Sequence, residues 1–267
     1  MSYQLNQLNF YATVSKGYRV GGGNAPVSQI ALCSPDLQAI NRDDVPGTYK
    51  PDHVWNYEVG AKGKIGSAVT FSGSLFYVQW KDIQANVILP TCGYSYTANT
   101  GSAVSKGFEV EGSWRPLSGL TLTGNLGYTD AYYTKDILSG PTVIIAKGTS
   151  LSTPKWQATI SGDYEKAISS SIKAYLHGDL QYASSYTRGY SPASISYDPD
   201  TNRIESMKFV SARTGVRFTG VDASIYVNNL FNARPILTRY HDLLGTEAFR
   251  DITLRPRTIG GAVSYRF

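Results

Sequence analysis

The thirteen-residue stretch 255–267, R-P-R-T-I-G-G-A-V-S-Y-R-F, decides the fold. From Ile259 onward its odd positions are apolar, aromatic or small, and the polar residues Ser264 and Arg266 lie between them. Only a β-strand places two such alternating sets on opposite faces. The stretch closes on the aromatic residue Phe267 with no polar tail, so the pattern predicts a strand that extends to the last residues.

The same alternation recurs along the whole chain and predicts about ten strands. They cover residues 8–14, 57–65, 69–77, 108–114, 120–128, 156–164, 172–182, 210–218, 223–227 and 259–267. Short turns such as Gly66-Ser67 and long connections alternate between them, with no helix expected and segment 21–49 expected to be irregular. Short turns at one end of a sheet and long loops at the other are typical of an outer-membrane β-barrel. A soluble β-sandwich is the alternative, but it rarely has all its long connections at one end.

Charged side chains share the face opposite the apolar one. In a bilayer this face must line the lumen, because a charge at the lipid midplane costs about 2–4 kcal/mol. The charged residues of this face are Glu58, Lys62, Lys64, Glu109, Glu111, Lys173, His177, Asp179, Arg213, Arg217 and Arg266. Trp80, Trp114 and Trp156 lie near predicted strand ends, where an interfacial aromatic belt is expected.

Composition agrees with a membrane barrel. The chain has 267 residues, and charged residues make up 17%, below the roughly 25% of soluble domains. The net charge of +5 is scattered along the chain, so we expect a solvated surface and no nucleic-acid partner. No apolar run approaches the roughly 18 residues of a membrane helix. The first residues show no secretory signal, so an exported chain is expected to be a fragment or a truncated product.

Few residues suggest a chemical site. Cys33 and Cys92 lie in long connections on the same predicted side, so they could form a disulfide or stay as two thiols. Asp198, Asp200 and Asn202 resemble the start of a calcium loop, but the required Gly and distant Glu are missing and a polar turn at Pro199 explains them better. The three His residues, His53, His177 and His241, have no metal-ligand spacing. The sequence therefore predicts no metal, no cofactor and no catalytic set.

Several motifs resemble the C-terminal half of the barrel of TonB-dependent outer-membrane receptors. They run in family order over nearly the whole chain. The motifs are F-Y-A-T-V-S-K-G-Y-R-V-G-G-G-N (10–24), Y-K-P-D-H-V-W-N-Y-E-V-G-A-K-G (49–63), F-Y-V-Q-W-K-D-I-Q (76–84), N-T-G-S-A-V-S-K-G-F-E-V-E (99–111), G-Y-T-D-A-Y-Y (127–133), V-N-N-L-F-N (227–232) and the terminal stretch 255–267.

The resemblance implies a location and a set of partners. The fold would be part of a 22-strand antiparallel barrel, with residues 1–267 forming its C-terminal portion in the outer membrane of a Gram-negative bacterium. The implied partners are outer-membrane lipid and lipopolysaccharide, the barrel-assembly machinery, which reads a terminal aromatic such as Phe267, and the TonB complex. That complex would act through an N-terminal part that this sequence lacks, along with the plug and the first half of the barrel.

The resemblance also implies a function. Extracellular loops of the family capture scarce nutrients, often iron-siderophore chelates, and anionic chelates favour Arg and Tyr. The loop residues of these types are Arg188, Tyr190, Arg239, Tyr240 and Arg250. They could equally be ordinary interfacial residues. A passive porin-like channel and an outer-membrane hydrolase stay open as alternatives, although His177 beside Asp179 is the one His on the polar face and no enzyme is expected.

Overall fold

The computed structural model describes residues 1–27, 30–89, 91–139, 142–189, 192, 197–241 and 248–267. These residues form nineteen strands and one helix, α1 (Ile30–Ala39). The strands are β1 (Ser2–Leu5), β2 (Leu8–Arg19), β3 (Gly22–Gly23), β4 (Thr48–Tyr49), β5 (Asp52–Ile65), β6 (Val69–Ile88), β7 (Ser95–Leu117), β8 (Leu120–Tyr133), β9 (Ile137–Ser139), β10 (Thr142–Ile145), β11 (Trp156–Ala167), β12 (Ile172–Ala183), β13 (Tyr186–Thr187), β14 (Arg203–Ile204), β15 (Met207–Phe218), β16 (Val221–Asn228), β17 (Thr238–His241), β18 (Phe249–Ile252) and β19 (Thr258–Tyr265). Across these ranges, no helix has the length and apolar character needed to cross a membrane.

Eleven of the strands form one antiparallel sheet, in the order β1-β2-β5-β6-β7-β8-β11-β12-β15-β16-β19. All ten predicted strands lie in it. The eleventh, β1, was not predicted because its four residues are too few to show a convincing alternation. The remaining strands form four small two-stranded antiparallel sheets, β3-β4, β9-β10, β13-β14 and β17-β18.

The strand register places apolar residues opposite apolar residues across the large sheet. Val59 pairs with Ala12 on one neighbour and with Leu75 on the other, and Ile160 pairs with Leu180. No described residue covers this face, since Val59, Leu75 and Ile160 are 51%, 60% and 54% exposed. An apolar surface that runs across the whole sheet needs an apolar solvent. The strands of the large sheet are mostly 12 or more residues long, so they exceed the 9–11 residues that are needed to cross a bilayer.

Aromatic side chains mark the two ends of this apolar face. Trp156 begins β11, at the end of the sheet where the long connections lie. Its ring packs against that of Tyr128, with the centroids 4.7 Å apart. Trp114 lies near the opposite end of β7, where it pairs with Val69 beside a short turn. Both Trp side chains are exposed, as an interfacial belt requires. The prediction for Trp80 was wrong, because its register places it on the polar face, where it donates to the carboxylate of Asp52.

The short turns all lie at one end of the sheet and the long connections at the other. The turns comprise residues 6–7, 66–68, 118–119, 168–171 and 219–220. Gly119 and Gly220 adopt φ values of +82° and +77°, which a residue without Cβ reaches at no steric cost. The predicted asymmetry of an outer-membrane barrel is therefore present.

The buried core of the described chain lies on the long-connection side and not behind the large sheet. Helix α1 packs on the projecting tip of the β6-β7 hairpin, and we call this assembly the helix–hairpin unit. Its buried core consists of Val27, Cys33, Leu37, Val45, Val87, Leu89 and Tyr96. The expectation that segment 21–49 is irregular was wrong for 30–39, which form α1, and for the short strands β3 and β4. Pro35 within α1 hid the helix, which tertiary packing stabilises. Tyr96 and Asn99 lie between the predicted strands 69–77 and 108–114, where a loop is expected, but they belong to β7 because this hairpin extends beyond the membrane-spanning part.

Candidate ligand-binding site

Two structured units form the long-connection end. The first is the helix–hairpin unit, in which Cys33 and Cys92 are joined by a disulfide with a Cα–Cα distance of 5.1 Å. Asp36 of α1 also accepts hydrogen bonds from the backbone N–H and the hydroxyl of Thr91, at 2.8 and 2.7 Å. The helix is therefore tied to the hairpin tip by covalent, polar and apolar contacts.

The second unit is made of two hairpins, β13-β14 and β17-β18, which we call the double-hairpin cluster. The backbone N–H of Glu205 donates to Ile236 at 3.2 Å, and the Glu205 carboxylate accepts from the N–H of Ile236 at 2.8 Å. Arg188 follows β13 directly, and its guanidinium donates to the carbonyl of Arg239 at 3.5 Å. These contacts fix the two hairpins against each other although they come from different connections.

Cationic and aromatic side chains meet inside the double-hairpin cluster. The guanidinium carbon of Arg188 lies 5.8 Å from the ring centroid of Tyr240, and that of Arg239 lies 4.8 Å from the ring of Phe249. Arg239 also donates two hydrogen bonds of 2.7 Å to the carboxylate of Asp251. These hydrogen bonds raise the pKa of Arg239 and lower the pKa of Asp251. The charge of Arg239 is therefore already paired.

Arg188 differs from Arg239 in this respect. It is partly buried, and within the described residues it forms no ion pair with a carboxylate. A guanidinium stacked on an aromatic ring and held by a backbone carbonyl keeps further N–H donors for a ligand. The cluster can therefore offer a preorganised fork of donors to a carboxylate, catecholate or similar anionic oxygen pair.

The structure brings four of the five candidate residues into this cluster. Arg188, Arg239 and Tyr240 are in contact, and Arg250 pairs with Tyr240 in the β17-β18 register. Tyr190 lies outside the described residues. Sequence reasoning missed Phe249 and Asp251, which hold Arg239. The available signal was the Phe-Arg-Asp run of 249–251 opposite the Arg-Tyr-His run of 239–241, which suits a hairpin.

The polar face of the large sheet forms a concave wall. Near the short turns, Glu165 binds Lys173 and Arg217 at 2.9 and 2.6 Å, and Arg217 binds Asp222 at 3.1 Å. A trough of about 970 Å³ runs along the wall and is lined by amides, hydroxyls and charges that include Gln4, Lys62, Ser72, Glu111 and Asn125. This face is the lumen side that the sequence predicts.

His177 on this wall has a different partner from the one expected. Its Nδ1 lies 2.7 Å from Asp163 of the neighbouring strand β11, whereas Asp179 accepts a hydrogen bond from Ser211. His177 and Asp179 belong to the same strand, β12, and adjacent strands supply the nearer partner for each. The expected pairing of His177 with Asp179, which already gave too little for a catalytic claim, is therefore not formed.

An antiparallel sheet with an outward apolar face, aromatic ends, a polar concave face and long structured loops at one end defines an outer-membrane β-barrel protein. Residues 1–230 match the family described as TonB dependent receptor-like, beta-barrel, and the chain belongs to this family. It is a family of outer-membrane transport receptors, found in Gram-negative bacteria, rather than of enzymes.

Solved structures share the fold. The ferric yersiniabactin uptake receptor FyuA from Yersinia pestis matches with a TM-score of 0.68 and 20% identity, over 100% of this chain and 36% of that receptor. The ferric-catecholate import receptor Fiu from E. coli K12 matches with 0.67 and 18%, over 100% and 34%. The siderophore receptor PiuA from Acinetobacter baumannii matches with 0.68 and 15%, over 99% and 34%. The chain thus spans about a third of the length of these receptors.

Proposed function

We propose that residues 1–267 are the C-terminal portion of the barrel domain of a receptor for TonB-dependent uptake. Family membership over residues 1–230 and the fold shared with three siderophore receptors support this proposal. In such a receptor the energy for transport comes from the TonB complex, through parts of the receptor that lie outside this chain. Lipid and lipopolysaccharide would surround the apolar face.

The proposed cargo is an anionic metal chelate of the iron-siderophore class, captured at the double-hairpin cluster. The observation that carries this assignment is Arg188, which is stacked on Tyr240 and has no carboxylate partner within the described residues. Charge-assisted hydrogen bonds from a planar guanidinium suit the paired oxygen atoms of a siderophore. Arg239 would have a structural role in the site, because Asp251 already neutralises the charge of Arg239.

The test is chelate binding and uptake by cells that carry variants at the natural locus. Cells grown under iron limitation are given ⁵⁵Fe-loaded catecholate, hydroxamate and carboxylate siderophores in turn. We expect saturable binding of one class and about a tenfold or greater loss of affinity in Arg188→Gln, the order expected for a desolvated charge-assisted hydrogen bond. Arg203→Gln is the matched control, since Arg203 is an exposed arginine on the facing strand β14.

Transport is separated from binding by collapsing the proton gradient with a protonophore. Uptake by a TonB-dependent receptor should stop while surface binding persists. Uptake that continues without the gradient would favour the passive channel, and the absence of saturable binding for all three chelate classes would reject the proposed cargo.

A further inference from the structure

Three side chains of metal-ligating type meet beside the double-hairpin cluster. Asp198 and Asp200 lie on the connection between β13 and β14, and His241 is the last residue of β17. One ligand atom from each residue lies within 4.8 Å of the other two, and His241 Nε2 is 2.8 Å from Asp198 Oδ2. Sequence spacing shows no such group, because folding alone brings His241 to the two carboxylates.

The surroundings of this group favour a cation. The side chains of His241 and Asp198 are 22% and 26% exposed, so this pair is largely withdrawn from water. Arg239, a nearby cation, is bound through two nitrogens by Asp251, and its charge interacts with Asp200 only at longer range. Asp200 is exposed, but its carboxylate lies close enough to that of Asp198 for the two to repel each other unless a positive charge is present.

The same turn also contains a buried polar atom without a hydrogen bond. Asn202, two residues beyond Asp200, has a buried Oδ1 with no hydrogen bond to any described residue. A buried polar atom without a partner is rare in native structures. Amide and carboxylate oxygens together with an imidazole nitrogen are ordinary metal ligands.

We propose that Asp198, Asp200 and His241 bind a divalent first-row transition-metal ion, with Zn²⁺ as the representative. The imidazole favours such ions over Mg²⁺ and Ca²⁺, which prefer oxygen alone. The metal joins the β13-β14 connection to the end of β17 and so fixes the two hairpins that carry Arg188 and Tyr240. This inference concerns the bare ion and does not depend on the proposed chelate cargo.

The experiment measures equilibrium binding of ⁶⁵Zn²⁺ to outer-membrane fractions from cells with variants at the natural locus. Excess Mg²⁺ suppresses binding to lipopolysaccharide, and binding is normalised to the amount of folded protein on immunoblots.

The variants are Asp198→Asn, Asp200→Asn and His241→Gln. Asp200 is exposed, so its substitution preserves the fold and keeps the test valid if another variant is poorly assembled. Asp163→Asn and His177→Gln are matched controls, because these residues form a second Asp–His pair at 2.7 Å on the lumen wall.

We expect one saturable Zn²⁺ site per protein, weakened about tenfold or more in each of the three variants and unchanged in both controls. Equal binding in Asp200→Asn and the unaltered protein, or no saturable site above cells that lack the protein, would overturn the proposal. The membrane fractions contain no siderophore and no proton gradient, so this result is independent of chelate uptake.

Discussion

Arg19 at the end of β2 binds the carboxylate of Asp52 at the start of β5, with its Nε 3.1 and 2.9 Å from the two carboxylate oxygens. The Asp52 side chain is only 2% exposed, whereas that of Arg19 is 53% exposed. Asp52 also accepts from the indole N–H of Trp80 at 3.0 Å and from the backbone N–H of Gln84 at 3.3 Å. A buried carboxylate therefore organises three strands where the sheet meets its outer loops.

The two partners should respond unequally to mutation. Arg19→Gln leaves a buried charge without its cation and is expected to cost about 3–5 kcal/mol. Asp52→Asn leaves an arginine that water can solvate, so we expect about 1–2 kcal/mol. The measurement is urea unfolding, followed by Trp fluorescence, of the protein that is produced from the natural locus and inserted in the membrane. Lys81→Gln, an exposed cation on β6, should be neutral, and equal losses for Arg19→Gln and Asp52→Asn would contradict the argument.

The two faces of β11 should differ in their tolerance of charge. Ile160 lies midway between Trp156 and Tyr164 on the apolar face, and the adjacent Thr159 lines the polar trough. Ile160→Arg should cost about 2–4 kcal/mol because the charge meets the bilayer midplane. Thr159→Arg introduces the same side chain at the same depth and should cost much less. Both are measured by the same unfolding assay, and similar losses would mean that the apolar face does not contact lipid.

Alternation predicted the large sheet well because each spanning strand has one lipid face and one lumen face. A one-residue slip would move Val59 or Ile160 to the wrong side, so register follows from the same pattern. The outer units were not predictable in this way. Helix α1 depends on Leu37 and Cys33 packing against a distant hairpin, and such tertiary stabilisation overrides the helix-breaking signal of Pro35. The double-hairpin cluster likewise joins Arg188 to Tyr240 across separate connections.

The disulfide should stabilise the helix–hairpin unit and leave the spanning sheet unaffected. Its two cysteines are 59 residues apart, and a loop of this size corresponds to about 4 kcal/mol in the chain-entropy account. The double variant Cys33→Ala with Cys92→Ala should lose hydrogen-exchange protection in α1, whereas β11 and β12 should keep theirs. Alkylation of both thiols in the unreduced protein would show that the bridge does not form.

At Phe267, recognition by the barrel-assembly machinery can be tested apart from the stability of the folded protein. Its side chain is fully exposed and meets the ring of Tyr265 at a centroid distance of 6.3 Å, so replacing it removes little packing. If the barrel-assembly machinery reads this residue, Phe267→Ala should nevertheless lower the amount of heat-modifiable protein in the outer membrane. Phe231→Ala is the control, since Phe231 is 75% exposed in the connection after β16. Unchanged assembly of the Phe267 variant would exclude it as a signal.

The two edges of the sheet should prevent residues 1–267 from inserting alone. Among the described strands, β1 pairs only with β2, and β19 pairs only with β16. Backbone groups at a lipid-exposed edge have no water to bind, and each unsatisfied group costs several kcal/mol. Refolding of this chain into detergent or vesicles should therefore give aggregates or protease-sensitive material. If a heat-modifiable, protease-resistant monomer is recovered, β1 and β19 must pair with each other and close a small barrel, and the passive-channel alternative would regain support.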